Sequence, residues 1–181
     1  MTAWLCIVIT WAVCATPPPQ SLTAMPKPLT PQQAAVRAEE MCARAEHCSG
    51  EIRLKLRQWG IANVEADAIV ERLTAKRFID DRRYARVFAR DKVLFNRWGR
   101  IKIRAALIAK RLASDVIAEA LADIDAEAYA EALRATIDAK RRITPDADTR
   151  EGRLRLFRHA AARGFEPQLI IEAINAAPTE S

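Results

Sequence analysis

The chain has 181 residues, half of them apolar, and a formal net charge of +6 at pH 7. Only five glycines and few aromatic residues are present, which excludes a turn-rich sheet protein and predicts an all-α fold. The positive charge favours an anionic partner, such as nucleic acid, an acidic protein face or a membrane surface.

The first 15 residues, MTAWLCIVITWAVCA, are apolar, and a proline-rich segment follows them as far as Pro31. The apolar run is similar to the core of a signal peptide, but no Lys or Arg precedes it and it is too short to span a bilayer. The prolines favour an extended linker, and Met25 is an alternative start. We expect residues 1–30 to be a disordered leader and linker or a start-site artefact, and the protein to be cytoplasmic without membrane contact.

Three short, basic, amphipathic stretches repeat one pattern, at 49–61, 98–112 and 150–165. Aligned on Gly60, Arg111 and Gly164, they carry apolar residues one position after the anchor and four and eight positions before it. The spacing of the anchors leaves room for one helix before each stretch and another after it. The repeat therefore predicts three tandem modules of three helices each.

Module 1 is predicted over 31–79, module 2 over 80–124 and module 3 over 125–177, with a tail at 178–181. Gly60 and Gly164 suit the left-handed residue after a helix, Ser114 suits an N-cap, and Pro167 suits a first helical turn. Modules this small bury little alone, so we expect the copies to form an elongated, curved molecule. The predicted helices are 31–48, 50–59, 64–76, 81–96, 100–110, 114–123, 126–142, 148–163 and 167–176.

Asp80 and Asp81 stand at the predicted start of the fourth helix. A carboxylate there accepts hydrogen bonds from free backbone N–H groups and faces the positive end of the helix dipole. Acid–base catalysis would need the two carboxylates to face each other across a pocket, whereas adjacent residues at a helix start point in different directions. Capping is the favoured interpretation, and catalysis is the alternative.

Arginines recur every four residues along the fourth helix, and the series continues to Arg97, which predicts one stripe opposite the apolar face. A second basic block lies in module 3. Such a face is often merely solvated, but basic faces at equivalent positions of a repeat can line one groove and contact phosphates or an acidic protein. The candidate residues for contact with a partner or DNA are Arg82, Arg86, Arg90, Arg97, Arg100, Lys102, Arg104, Arg153, Arg155 and Arg158.

Trp59 and Trp98 flank the second helices of modules 1 and 2, where they are core wedges or stacking platforms. Cys42, His47 and Cys48 lie close in sequence, but a zinc site needs four ligands, so buried or idle thiols are the favoured interpretation. The sequence contains no P-loop, no glycine-rich dinucleotide loop, no nucleophile elbow and no HExxH motif. We therefore predict no enzymatic activity, no metal and no cofactor.

The stretches FIDDRRYARVFARD, WGRIKIRAALIAKRL with SDVIAEAL behind it, and RGFEPQLIIEAI resemble the RecX family of bacterial regulatory proteins in order and spacing. The resemblance covers residues 25–176. It implies tandem three-helix modules that bind the RecA recombinase filament in or along its groove and inhibit strand exchange and filament growth. Members also touch DNA. One departure is Arg111, where the family often has a glycine.

We expect the protein to act as a monomer that blocks the RecA filament physically, without catalysis. As a basic rod, it spans several subunits of the filament and competes with duplex DNA for the filament groove. The alternative is a stand-alone protein that binds single- and double-stranded DNA without sequence preference, through the same arginines. An exported helical scaffold is a third possibility, which requires the apolar leader to be a true signal.

Overall fold

The computed structural model describes residues 29–176, and within them the backbone forms nine α-helices and no strand. The predicted leader, nearly all of the predicted linker and the tail lie outside the described residues. The helices fall in the predicted order, three to each module, so the all-α repeat is confirmed. They are α1 Pro31–Arg44, α2 Ser49–Gln58, α3 Asn63–Ala75, α4 Asp81–Leu94, α5 Arg100–Ala109, α6 Ser114–Ala122, α7 Ala126–Arg141, α8 Arg150–Ala162 and α9 Pro167–Asn175.

Side chains at the helix starts satisfy free backbone N–H groups. The Asp80 carboxylate accepts from the N–H of Arg83 at 2.9 Å, which confirms the capping interpretation. Asp125 caps α7 and Thr149 caps α8 in the same way. The expectation for Ser114 is wrong, because the extended residue before α6 is Ala113 and Ser114 is already helical.

The turn after each second helix places its anchor residue in the left-handed region. Gly60 has φ 83° and Gly164 has φ 87°, as predicted. Arg111 adopts φ 63°, although a side chain is strained there. Module 2 thus makes the same turn as its neighbours without a glycine.

Apolar side chains form two separate cores. One core belongs to module 1 alone and includes the fully buried Ile52, Leu56 and Leu73. The other runs through modules 2 and 3, with Leu107 and Phe165 among its buried members. Cys48 belongs to this second core although it precedes α2, because the predicted first helix ends early, at Arg44, and the extended chain carries the thiol into module 2.

Modules 2 and 3 are joined by packing and by main-chain hydrogen bonds. Helix α4 packs on α7. The N–H of Gly99 donates to the carbonyl of Arg163 at 2.9 Å, and the N–H of Ile101 donates to the carbonyl of Gly164 at 3.1 Å. A Cβ on Gly99 would overlap the backbone of Gly164. The start of α5 therefore abuts the end of α8.

Modules 1 and 2 meet in the same end-to-end manner. A Cβ on Gly50, in the first turn of α2, would overlap the carbonyl of Lys110 at the end of α5. Among the described residues, no hydrogen bond or ion pair joins module 1 to module 3, so the modules follow one another in chain order. No helix within residues 29–176 has the length and apolar character needed to cross a membrane.

Candidate functional site

The predicted cations do not form one stripe. Helix α4 ends at Leu94, and Arg97 lies beyond it with φ 51°, so Arg97 does not continue the face that carries Arg82 and Arg86. The expectation of a single helical stripe from Arg82 to Arg97 is wrong. Its residues instead divide into cations that are paired inside the protein and cations that have no carboxylate partner.

Arg82 and Arg86 face helix α6 and form ion pairs with it. The Arg82 guanidinium lies 3.1 Å from the Asp115 carboxylate, and the Arg86 guanidinium lies 2.8 Å from that of Asp123. Both arginines also contact Glu119. These two arginines bridge α4 and α6, so they cannot meet an outside partner without losing internal ion pairs.

Arg100 belongs to the junction between modules 2 and 3. Its guanidinium lies 4.1 Å from the ring centre of Tyr129 and 3.6 Å from Glu166, and its backbone N–H donates to the Tyr129 hydroxyl at 2.9 Å. The Tyr129 hydroxyl in turn donates to Glu166 at 2.5 Å. Burial and the hydrogen bond to Glu166 raise the pKa of Tyr129, so it stays a donor at neutral pH.

The other predicted cations have no carboxylate within 4.0 Å among the described residues. All are exposed except Lys102, which is half-buried with its ammonium 4.6 Å from the ring centre of Trp98. Arg153 hydrogen-bonds the neutral side chain of Asn175. These unpaired cations are Arg90, Arg97, Lys102, Arg104, Arg153, Arg155 and Arg158.

Basic residues recur at equivalent positions of α5 and α8. Arg100 and Arg153 each stand eleven residues before the left-handed anchor of their module, and Lys102 and Arg155 each stand nine before it. Because the start of α5 abuts the end of α8, the two basic helices are neighbours. We call the unpaired cations of 97–104 and 153–158 the basic surface.

Trp59 and Trp98 are half-buried. Trp59 packs against the core of module 1, and Trp98 packs against the core of modules 2 and 3. The Arg37 guanidinium lies 4.7 Å from the ring centre of Trp59. The ammonium groups of Lys92 and Lys102 lie 5.2 Å and 4.6 Å from that of Trp98. Both rings therefore serve as core wedges that also hold cations.

The acidic pair and the thiols have structural partners. Asp81 does not cap its own helix but accepts from the N–H and hydroxyl of Ser49, at 2.7 and 2.6 Å. Burial raises the pKa of the Cys48 thiol. Within residues 29–176, no group of three or more His, Cys, Asp and Glu side chains is arranged to hold a metal ion. Sequence reasoning missed the role of Asp81, because its partner lies 32 residues away.

Known proteins similar to this chain include several RecX proteins. The family model described as RecX, second three-helix domain, matches residues 80–121, which contain α4, α5 and most of α6. The Regulatory protein RecX of Prosthecochloris aestuarii is 31% identical over 130 residues, which cover 72% of this chain and 83% of that protein. The Regulatory protein RecX of Thermus thermophilus is 31% identical over 148 residues, which cover 82% of this chain and 94% of that protein.

Solved structures share the fold. RecX from Lactobacillus salivarius superimposes with a TM-score of 0.72 at 17% identity, over 80% of this chain and 94% of that one. A second RecX crystal structure gives 0.71 at 18% identity, over 81% of this chain and 74% of that one. With the helical repeat, the matched second module and relatives above 30% identity over most of the chain, the protein belongs to the RecX family of regulatory proteins.

Proposed function

We propose that this protein binds the RecA nucleoprotein filament and inhibits its ATPase and strand exchange by physical blockage. The observation that carries the proposal is the recurrence of unpaired cations on α5 and α8, the second helices of consecutive modules, in a member of the RecX family. The protein acts in the cytoplasm as a monomer, and none of its residues has a catalytic role.

Unpaired cations suit this function better than paired ones. A guanidinium without a carboxylate partner gains an ion pair when an acidic group or a phosphate arrives, whereas Arg82 and Arg86 would first have to release Glu119. Electrostatic attraction of this kind also speeds the first encounter with a negatively charged assembly. The basic surface is therefore the contact region, and Arg82 and Arg86 support the fold of module 2.

The blockage requires no covalent step. The basic surface spans two consecutive modules, so it presents cations to more than one subunit of a helical filament. Such a contact competes with duplex DNA for the filament groove. The contact also bridges neighbouring subunits of the filament. It therefore hinders the subunit motions that accompany ATP hydrolysis.

The test is the ATPase of RecA filaments on single-stranded DNA, titrated with wild-type protein and with the charge-reversal variant Arg104→Glu, Arg155→Glu. Both residues are exposed and unpaired, so the fold should be unaffected. Wild-type protein is expected to inhibit below stoichiometric amounts, and the variant to need about tenfold more protein.

The matched control is Lys55→Glu, Arg57→Glu, which makes the same charge change on exposed residues of α2 in module 1. If inhibition falls equally in both variants, only net charge matters and the basic surface has no special role.

Stand-alone DNA binding is the second candidate, since phosphates also pair with these cations. It predicts equal affinity for bare DNA and for filaments, with a steep loss of affinity as salt is raised. A filament regulator binds filaments more tightly than DNA at physiological salt.

A further inference from the structure

Helix α5 is apolar on the side that points away from the protein. Ile103 and Leu107 face the core and are fully buried, whereas Ile101 is 53% and Ile108 59% exposed. Residues seven positions apart share one side of an α-helix, and the exposed Ala105 lies between these two isoleucines. The outer side of a surface helix is ordinarily polar. We call Ile101, Ala105 and Ile108 the outer face of α5.

Cations without carboxylate partners surround this outer face. The segment 97–111 contains six Lys and Arg residues and no Asp or Glu, and only two of the six, Arg100 and Lys110, pair with carboxylates of other segments. Arg104 lies on the same side of the helix as Ile101, and Arg97 and Arg111 lie just beyond the two ends of α5. None of these three arginines has a carboxylate within 4.0 Å among residues 29–176. The surface that complements the outer face is therefore an apolar patch edged by carboxylates.

Helix α8 repeats part of the arrangement in module 3, at the position that corresponds to Ile101. Leu154 stands ten residues before Gly164, as Ile101 stands ten before Arg111, and it is 45% exposed. It opens on a groove of about 330 Å³ whose lining includes Phe157 and Ile171. The unpaired Arg153 also lines this groove. Two consecutive modules thus present apolar side chains edged by arginine, on helices that abut end to end.

We infer that the outer face of α5 and Leu154 of α8 dock on protein, and that the partner presents an apolar patch edged by carboxylates more than once. A nucleic-acid backbone is recognised through its phosphates, which give an exposed isoleucine nothing to bury against. Protein interfaces gain most of their affinity from a few desolvated apolar side chains inside a polar rim. Repetition in neighbouring modules suits an assembly of identical subunits.

This inference rests on the proposed function, and it assigns the outer face of α5 and Leu154 to contact with the protein part of the filament. The test variant is Ile101→Ser, Ile108→Ser, which keeps every charge and removes apolar side chains that are more than half exposed. Its binding is compared with that of wild type on RecA filaments, on single-stranded DNA alone and on vesicles of anionic lipid. We expect at least a tenfold loss of filament affinity and less than a twofold change on bare DNA, with neither protein bound to vesicles.

The control variant is Val64→Ser, Ile143→Ser, which removes apolar residues that are 82% and 71% exposed elsewhere. It should bind filaments as wild type does, and circular dichroism should show equal helix content in all three proteins. Leu154→Ser should give a separate loss of filament affinity, smaller than that of the double variant, if the docking surface extends to module 3.

Each other outcome overturns the inference in a recognisable way. If wild-type protein binds filaments tightly and the α5 variant binds them equally, the inference fails and the proposed function stands. If the variant loses affinity for bare DNA to the same extent, the outer face contacts nucleic acid. Vesicle binding that disappears in the variant would assign the face to a lipid surface. If wild-type protein binds filaments no better than DNA, the proposed function fails together with the inference.

Discussion

Module 1 is held to module 2 mainly by polar and charged side chains, with Cys48 of module 1 buried in the second core, whereas modules 2 and 3 share that apolar core throughout. At the first junction, Asp81 binds Ser49, Arg83 lies 2.8 Å from Glu46, and Glu51 accepts hydrogen bonds from Tyr84 and Lys110. The second junction also contains an ion pair, Arg100 with Glu166. There, however, main-chain hydrogen bonds and the packing of α4 on α7 add to a large buried apolar surface.

The two junctions have the same end-to-end geometry but different physical cohesion. Apolar burial is not screened by salt and does not depend on ionisation, whereas partly exposed ion pairs are screened by salt and are lost when a partner changes its charge. Polar interfaces between domains also permit relative motion more readily than large apolar ones. We therefore expect modules 2 and 3 to unfold as one cooperative unit. Module 1 should unfold separately, and its attachment should depend more on salt and pH.

Truncation of a buried side chain in each core should change the free energy of unfolding most, and it should distinguish module 1 from modules 2 and 3 most clearly. Phe165→Ala should lower the free energy of unfolding by about 3 to 5 kcal/mol and weaken modules 2 and 3 together. Leu73→Ala should cost about 2 to 5 kcal/mol, and its effect should stay within module 1. Hydrogen exchange resolved by peptide measures which modules each variant destabilises. Equal acceleration of exchange across all nine described helices in the Leu73 variant would contradict two separate units.

Removal of the Asp81 side chain should loosen the first junction. Asp81→Ala leaves the N–H and hydroxyl of Ser49 without their acceptor, which costs about 1 to 3 kcal/mol. Exchange in α2 should accelerate, and added salt should have less further effect than in wild type. The matched control is Asp80→Ala, which removes only the cap of α4 and should cost about 1 kcal/mol without altering the salt response. An identical salt response in all three proteins would show that the junction does not depend on charge.

Acid should weaken the first junction before it affects the second. Burial alone would raise the pKa of Glu51, but hydrogen bonds from Lys110, His47 and Tyr84 outweigh burial and lower it. A carboxyl whose pKa falls on folding stabilises the folded state above its ordinary pKa of about 4.5, and the stabilisation disappears as pH falls through the lower folded value. Exchange in module 1 should therefore rise, after correction for intrinsic rates, below about pH 4.5. Glu51→Gln should reduce this pH dependence, and an unchanged profile would argue against the role of Glu51.

Replacement of Arg111 by glycine should give the smallest effect, a stabilisation of about 0.5 to 1 kcal/mol. The left-handed backbone at φ 63° strains a side chain, and glycine relieves that strain at some cost in unfolded-state entropy. Gly164→Ala is the converse variant at the second junction, where a Cβ would also press on Lys102, so it should be destabilising. Thermal melts of both variants measure these changes. A lower melting temperature for the Arg111 variant would show that its side chain contributes more than its backbone strain costs.

Most of the fold could be predicted because its signals are local. Gly60 and Gly164 mark helix ends, Asp80 marks a helix start, and the apolar spacing within each second helix recurs at the same distance from its anchor. The misplaced end of α1 has a tertiary cause. Residues 45–48 leave the helix so that Cys48 can reach the core of module 2, and no signal within one helical turn indicates this.

The candidate site could be predicted only as a set of cations. Composition and spacing identified the arginines of α4, α5 and α8, but not which of them were already paired. Arg82 meets Asp115 and Glu119, which lie 33 and 37 residues away, and this contact depends on how α4 packs on α6. The exposure of Ile101 and Ile108 could not be predicted from the sequence either, because an apolar residue is expected to be buried until the packing is known.

The sequence by itself determined the nine helices of residues 29–176, their order and their threefold repeat, because capping, left-handed turns and apolar periodicity act within a few residues. Tertiary structure alone decided which charges are free, which apolar side chains remain in solvent, and which modules share a core. Those properties depend on helices that are far apart in the chain and meet only after folding. The distance between two side chains in the folded protein then decides whether they bind each other or remain available to an outside partner.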